Sequence, residues 1–346
     1  MAPAPRKSKL TNLALQGGGA HGAFTWGVLD HLFEDGRLDL SAISGASAGS
    51  MNAVVLAEGF TARGRDGARE ALARFWRSVS DDGALSPVQR TVFDAWFSAL
   101  GLGAPLRFWQ DAITHYSSPY QFNPLNLNPL RDHLAKVIDF EKLRRTDGLK
   151  LFIAATNVRT GRARIFHRNE LTADHVMASA CLPQLFHAVV IDGEPYWDGG
   201  YVGNPPLWPL FYDNACKDTI IVQVNPIERP SVPTDAFEIQ NRLNEITFNG
   251  ALLGELRAVD FVIRLSDRGA LKGPGYIRPN LHRIDGASKL AAYTADTKTD
   301  TSWAFLTKLR DIGRAAAKDW LATNFEALDV RGTLDVRATT QGPAGL

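Results

Sequence analysis

Along the first sixty residues the apolar positions switch between two spacings, and the switches mark the ends of elements. Leu10–Gln16 (LTNLALQ) is a short apolar run ended by glycines, the pattern of a buried strand. From about Ala23 the spacing becomes helical, with Phe24, Gly27, Val28, His31 and Leu32 on one face, and Gly36 closes the helix. Leu38–Ser44 is a second strand that runs into Gly45-Ala46-Ser47-Ala48-Gly49. A second helix follows at once through Met51, Val54, Val55 and Leu56. Strand, turn and helix twice in succession predict a parallel α/β sheet.

Farther along, Lys150–Val158 and Arg162–Arg168 read as strands joined by Arg159-Thr160-Gly161, and a short helix around Thr172–Ala180 ends at Pro183. Residues 186–197 alternate about Asp192-Gly193, a hairpin signal, with Asp198-Gly199-Gly200 at the far end. Thr219–Val224 is a further buried strand. Helical stretches near 235–263 and 301–328 follow, with a short strand near 281–285 between them. The pattern predicts one domain over residues 10–330, between a flexible basic tail at 1–9 and a loose tail at 331–346. Residues 85–130 stand apart as an insertion with eight aromatic residues and only four charged ones, Arg90, Asp94, Arg107 and Asp111. Pro129 after Asn128 reads as a helix start there.

Composition narrows the classes of function. Hydrophobic residues make up 45% and charged residues 22% of the 346, and the formal net charge is +1. A nucleic-acid binder would carry a basic excess. Two cysteines, Cys181 and Cys216, cannot build a disulfide framework and suit a reducing compartment. No apolar segment follows the basic residues Arg6, Lys7 and Lys9 before the glycines, which argues against a secretory leader. No run approaches the roughly 18 apolar residues of a membrane span. The expectation is a soluble, cytoplasmic protein.

The first chemical signal is the turn at residues 45–49, which fits G-x-S-x-G. A serine on a tight strand-to-helix turn projects its hydroxyl above the sheet, and the helix N-terminus behind it favours developing negative charge. The bare pattern also occurs as an ordinary small-residue turn; here a strand precedes it and an apolar helix follows. The second signal is Gly17-Gly18-Gly19-Ala20-His21-Gly22. In an acyl-hydrolase its backbone N–H groups would hold the oxyanion of a tetrahedral intermediate. Read as G-x-G-x-x-G, with glycines at 17, 19 and 22, it also fits a dinucleotide loop and hence an oxidoreductase. That reading needs an acidic residue at the end of the second strand, and Asp39 sits at its start.

Ser47 needs a base. None of the eight histidines stands in a strong local motif. His187 is the best candidate for a Ser-His-Asp triad, with an ordinary strand residue as its plainer reading. Asp198 ends a strand and is followed by two glycines that permit close backbone approach. An Asp-Gly-Gly turn alone is usually structural and gains meaning only beside the other two motifs.

In their order, GGGAHG (17–22), GASAG (45–49) and DGG (198–200) resemble the patatin-like phospholipase family, and ASACLP (178–183) is similar to that family's A-S-x-x-x-P element. The likeness covers roughly residues 12–225 and is nearest to the bacterial cytoplasmic branch. It implies a three-layer α/β/α patatin-like fold with a central, mostly parallel sheet. It also implies a Ser-Asp dyad without histidine: Ser47 attacks the ester, Asp198 takes its proton, and Gly17, Gly18 and Gly19 stabilise the oxyanion. No metal or other cofactor is implied. His21 departs from the Arg or Lys many members carry there, which bears on headgroup preference. The expected substrate is a phospholipid or lysophospholipid acyl ester, with neutral or storage-polymer esters as the alternative. A catalytically silent regulator is a further reading, against which the intact serine and aspartate argue. The expected partners are an acyl-ester substrate and transient contact with a membrane surface, not nucleic acid; the oligomeric state stays open. Residues 85–130 read as a lid or acyl-chain channel, or equally as an extra core layer or a dimer face.

Overall fold

Alternation along the central strands sends side chains into two separate cores. Leu13, Leu15, Ile153, Ile220 and Val222 enter one, and Ala14, Phe152, Ala154 and Ile221 enter the other. A sheet with helices on both faces requires this. The computed structural model describes residues 8–80, 118–212, 216–229, 231–271, 277–290 and 300–342, with Tyr293 and Thr297.

The strands are β1 Lys9–Leu15, β2 Leu38–Gly45, β3 Lys150–Asn157, β4 Ala163–His167, β5 Val189–Ile191, β6 Glu194–Asp198, β7 Asp218–Gln223 and β8 Asn280–Asp285. They form one sheet in the order β5-β6-β3-β2-β1-β7-β8, with β4 also paired to β3. The run β3-β2-β1-β7-β8 is parallel, and β4, β5 and β6 add antiparallel pairs at one side. The β5–β6 hairpin turns at Asp192 and Gly193, both with positive φ, as its sequence predicts.

One core is covered by α1 (Gly22–Asp35), α2 (Ala48–Val79) and a late helix, Trp303–Asn324. The other is covered by Trp208–Tyr212, Ala236–Asp267 and Val336–Gln341. With Pro129–Val137 as α3, Phe140–Arg145 as α4 and Ala173–Ser179 as α5, these become α6 (Trp208–Tyr212), α7 (Ala236–Asp267), α8 (Trp303–Asn324) and α9 (Val336–Gln341). Gly36 ends α1 in the left-handed conformation, and Asn128 caps α3 through the Arg131 N–H at 3.0 Å.

α2 is not one straight rod. Its backbone leaves helical geometry at Arg63 and Gly64, and the halves fold back on each other. Trp76 Nε1 donates to Asn52 Oδ1 across the hairpin at 3.0 Å. Asp30 and Glu34 of α1 receive Arg69 of α2, at 2.8 Å each, and Arg314 of α8, so three helices meet over two carboxylates.

Two expectations about the chain ends change. Lys9 belongs to β1, and its ammonium donates to the carbonyls of Phe325 and Leu328 at 2.9 Å each; residues 1–7 lie outside the described residues. The C-terminal stretch read as loose joins the fold through residues 333–336 and continues as α9 to Gln341. The Thr333 and Leu334 N–H groups donate to Leu281 O at 3.0 Å, and Val336 is buried. Of the aromatic insertion, residues 85–117 lie outside the described residues.

Helices α1 and α8 cross in direct backbone contact. A Cβ on Gly27 would overlap the Arg310 carbonyl, and one on Gly313 would overlap the Phe24 carbonyl. Gly254, by contrast, lies in α7 with open space around its Cα. The same substitution therefore has opposite signs at the two places. Gly313→Ala should destabilise by about 3 kcal/mol through overpacking against backbone that cannot yield. Gly254→Ala should stabilise by about 0.5–1 kcal/mol through helix propensity. Urea midpoints at unchanged slope read both.

Candidate active site

The site is built at the carboxyl ends of the parallel strands, where open α/β sheets leave room for ligands. β2 pairs with β3 as far as Gly45↔Ile153, and there the chain turns away. β4 occupies the opposite edge of β3 through Thr156. The edge β2 vacates is taken by β6, with Ala155↔Asp198. Ser47, on the turn after β2, and Asp198, at the end of β6, thus hang from the same edge of one strand.

Ser47 is held in a strained conformation, φ 53° and ψ −127°, between β2 and α2. Its carbonyl accepts from the Ser50 N–H at 3.0 Å and the Ser50 hydroxyl at 2.6 Å, and Ala46 O accepts from the Gly49 N–H at 2.9 Å. Its N–H donates to Ser179 O at 3.0 Å and to Ser179 Oγ at 3.2 Å. Gly17 packs against the turn so closely that a Cβ there would lie 2.7 Å from Ser47 Cβ.

Asp198 is fully buried. Burial pushes its pKa up to about 7, against the opposing pull of the Gly200 N–H and the Ser47 hydroxyl. Oδ1 accepts from the Gly200 N–H at 2.7 Å. Among the described residues Oδ2 has no hydrogen-bond partner of ordinary geometry, so Ser47 stands beside the carboxylate without closing a short bond to it. Catalytic hydrogen bonds often tighten only when substrate is bound. The backbone of Asp198 is pinned on both sides: its N–H donates to Cys181 O at 2.7 Å, and its carbonyl accepts from the Thr156 hydroxyl at 2.7 Å. The ASACLP segment therefore touches both partners, Ser47 through Ser179 and Asp198 through Cys181. The Cys181 thiol is pushed up to about 12 by burial, which leaves it protonated and inert.

The glycine loop follows β1 and faces the serine turn. Gly17 departs from the expected donor role, because its N–H is committed to Asn204 Oδ1 at 2.7 Å. Among the described residues nothing accepts from the N–H groups of Gly18 or Gly19, nor from that of Ala48 at the start of α2.

Among the described residues no histidine is bonded to Ser47 or Asp198. His187 stacks on Tyr120 with centroids 4.0 Å apart and places Nε2 3.2 Å from Pro119 O. His21 places Nε2 2.9 Å from Thr297 Oγ1. The buried contact of His282 with Asp218, 2.9 Å, lies at the other end of the sheet, where β7 and β8 start. Asp39, the acidic residue a dinucleotide site would need, pairs with Arg65 at 2.7 Å near the start of β2, away from the glycine loop. Among the described residues no cluster of His, Cys, Asp and Glu could hold a metal, and no helix is long and apolar enough to cross a membrane.

Reading by motif did not find Ser179, Asn204 or the Ala48 N–H. Only Ser179 had a local signal, through the ASACLP segment; the others are visible only once the strands are assembled.

The chain is similar to known proteins in three comparisons. VipD from Legionella pneumophila aligns at 15% identity and a TM-score of 0.36, over 89% of this chain and 67% of that one. The uncharacterized protein R571 of Acanthamoeba polyphaga mimivirus is 26% identical over 235 residues, 63% of this chain and 67% of that protein. A family model described as patatin-like phospholipase matches residues 13–211, over half of the chain. That span holds the glycine loop, the serine turn and the aspartate together, and the chain belongs to the patatin-like phospholipase family.

Proposed function

We propose that this protein is a serine acyl-hydrolase that cleaves acyl esters of phospholipids or lysophospholipids with a Ser47–Asp198 dyad. The observation that carries the reading is the pairing of a strained serine turn with a buried carboxylate across one strand edge. Family membership supports lipid acyl hydrolysis as the reaction class.

Ser47 Oγ attacks the ester carbonyl carbon as its proton passes to Asp198 Oδ2, the carboxylate oxygen with no other partner. The carbonyl oxygen becomes an oxyanion, which the Gly18 and Gly19 N–H groups receive, with Ala48 N–H as a third donor of the kind found after a nucleophile. The intermediate collapses, the C–O bond to the leaving alcohol breaks, and Asp198 returns its proton to that oxygen. Water then attacks the acyl-enzyme, giving its proton to Asp198. Ser47 leaves with that proton, and the fatty acid is released. A base of pKa near 7 suits both directions of transfer at neutral pH.

Fatty-acid release from a panel of phospholipids, lysophospholipids and neutral esters tests the reading. Ser47→Ala and Asp198→Ala should each lose roughly 10⁴-fold or more in turnover. Full activity in either variant would remove the dyad, and turnover of neutral esters alone would move the substrate class.

The acid limb follows from Asp198. The carboxylate is the active form, so kcat/KM should fall about tenfold per pH unit below about pH 7 and level off above it. A profile that stays flat down to pH 5 would show that another group is the base.

Stability carries the opposite sign. The folded pKa lies above the ordinary value of 3.8, so the folded state binds the extra proton. The contribution is fully present below about pH 4 and is lost as pH rises toward 7. Asp198→Asn avoids that loss. It should be inactive yet more stable than wild type at pH 8, by at most roughly 4 kcal/mol, with the difference vanishing near pH 4. Glu255, also pushed up to about 7 by burial, is common to both proteins and cancels in the comparison.

A further inference from the structure

We propose that Asn225 and Asn204 are positioning residues that lock the peptide on each side of Gly17 and so aim the Gly18 N–H at the reaction centre. The proposal rests on the acyl-hydrolase reading above.

Three consecutive glycines have no side chains with which to anchor themselves, and they lose more conformational freedom on ordering than any other residues. A loop meant to present N–H groups in fixed directions needs holding from outside. Gly17 is held at both of its polar atoms. Its N–H donates to Asn204 Oδ1 at 2.7 Å, and its carbonyl accepts from Asn225 Nδ2 at 2.7 Å. The second bond sets the direction of catalysis. In a planar trans peptide the C=O of Gly17 and the N–H of Gly18 point in opposite directions. Fixing the first on Asn225 turns the second to the other side, and a flip of that peptide would present a carbonyl where a donor is needed. The amide orientations are forced, since a backbone N–H requires an oxygen at Asn204 and a backbone carbonyl requires the NH₂ at Asn225.

The two asparagines are themselves braced, Asn204 by Gln16 Nε2, which donates to its carbonyl at 3.4 Å. Gln16 Oε1 accepts from the N–H groups of Val224 and Asn225 at 2.7 Å each. Gln16 Nε2 donates to Asn249 Oδ1 at 2.9 Å, and Asn249 Nδ2 donates to Pro226 O at 2.9 Å. Gln223 Nε2 donates to Asn225 O at 3.0 Å. Gln16, Asn204, Asn225 and Asn249 are all at most 3% exposed. Burying four primary amides is tolerable only when they are hydrogen-bonded, and such a lattice specifies one geometry. It does so without a net charge beside the place where an oxyanion forms.

The test compares wild type with Asn225→Ala, Asn225→Asp and Asn204→Ala on a lysophospholipid that wild type turns over. Asn225→Asp keeps the shape but exchanges the donor for an acceptor facing the Gly17 carbonyl, so it should fare no better than alanine. Each variant should lose roughly 10²-fold in kcat, the scale of one oxyanion donor, with KM within about twofold. Affinity for a long-chain trifluoromethyl ketone, whose hemiketal oxyanion occupies the same place, should fall by the same factor. Affinity for a non-hydrolysable ether lysolipid should not move. If Asn225→Ala does not fold, Asn204→Ala removes the other bond and must show the same split. Retention of kcat within threefold in folded variants, or an equal loss of ketone and ether-lipid binding, overturns the positioning role while leaving the hydrolase intact. A wild type that releases no fatty acid from any ester overturns the hydrolase reading and this proposal with it.

Discussion

The carboxylate of Asp198 is buried with no cation beside it among the described residues, and much of the local structure answers to that constraint. An isolated buried charge is costly, and burial drives such a group toward its neutral form. Here the cost is limited by one N–H, that of Gly200, and by an adjacent hydroxyl, which together leave the pKa near 7 rather than higher. A carboxylate so poised must not wander toward water or toward an arginine. Its backbone is accordingly nailed down by a ladder pair with Ala155, by the Cys181 carbonyl and by the Thr156 hydroxyl. The serine opposite is fixed just as firmly through Ser179 and the first turn of α2. Since both hang on the same edge of β3, their separation is set by a buried strand, and sites carried by rigid elements are held more closely than sites on loops.

The same constraint explains why the surroundings are dipolar rather than charged. In the proposed cycle Asp198 is negative before attack, and the substrate oxygen is negative after it, when the aspartate holds the proton. The net charge of the site stays constant while its position moves. Fixed N–H dipoles serve both states without reorganisation. A lysine beside the aspartate would lower its pKa and weaken it as a base. Gln16, Asn204, Asn225 and Asn249 supply directional bonds with no such bias. Glu255 shows the contrasting use of a buried carboxylate: it accepts from the N–H groups of Leu207 and Trp208 at 2.7 and 2.8 Å and caps α6.

The parts of this arrangement that are local in sequence were legible there. Runs such as Leu10–Gln16 and Thr219–Val224 give their strands to within a residue or two, because burial on both faces demands continuous apolar stretches. Ser47 and Asp198 announce themselves by glycines that only close packing explains. The lattice under the glycine loop does not, since Gln16 and its partner Asn249 are 233 residues apart and amides carry no spacing rule. The sharing of β3 by β2 and β6 is equally invisible, because strand order is fixed by non-local pairing. Gly17 was legible as a required glycine but not in its role: the need is contact with Ser47, and its N–H is already taken. The C-terminal residues were misjudged because their composition is loop-like, while their order comes from a neighbour, Leu281, some fifty residues away.

Under the proposed reading, the two ends of the sheet differ in what would turn an acid–base pair into a site. At the start of β7 and β8, Asp218 meets His282 at 2.9 Å, and His282 Nδ1 lies 2.9 Å from the Thr333 hydroxyl, a sequence of groups that resembles a hydrolytic triad. Every member of that chain is occupied: Asp218 also receives the Asp329 N–H at 3.1 Å, and both His282 and Asp218 are wholly buried. Buried and bonded in this way, it ties the C-terminal segment at Asp329 and Thr333 to the starts of β7 and β8. At the carboxyl ends the arrangement is deliberately unfinished. Among the described residues Asp198 Oδ2 has no hydrogen-bond partner of ordinary geometry, Gly18 and Gly19 keep their N–H groups, and Ser47 is buried at 8% exposure. Under the proposed reading, hydrogen bonds left unmade here are what a substrate would complete, while Ser47, Asp198 and Gly17 are held by bonds already made to Ser179, Thr156, Cys181, Asn204 and Asn225.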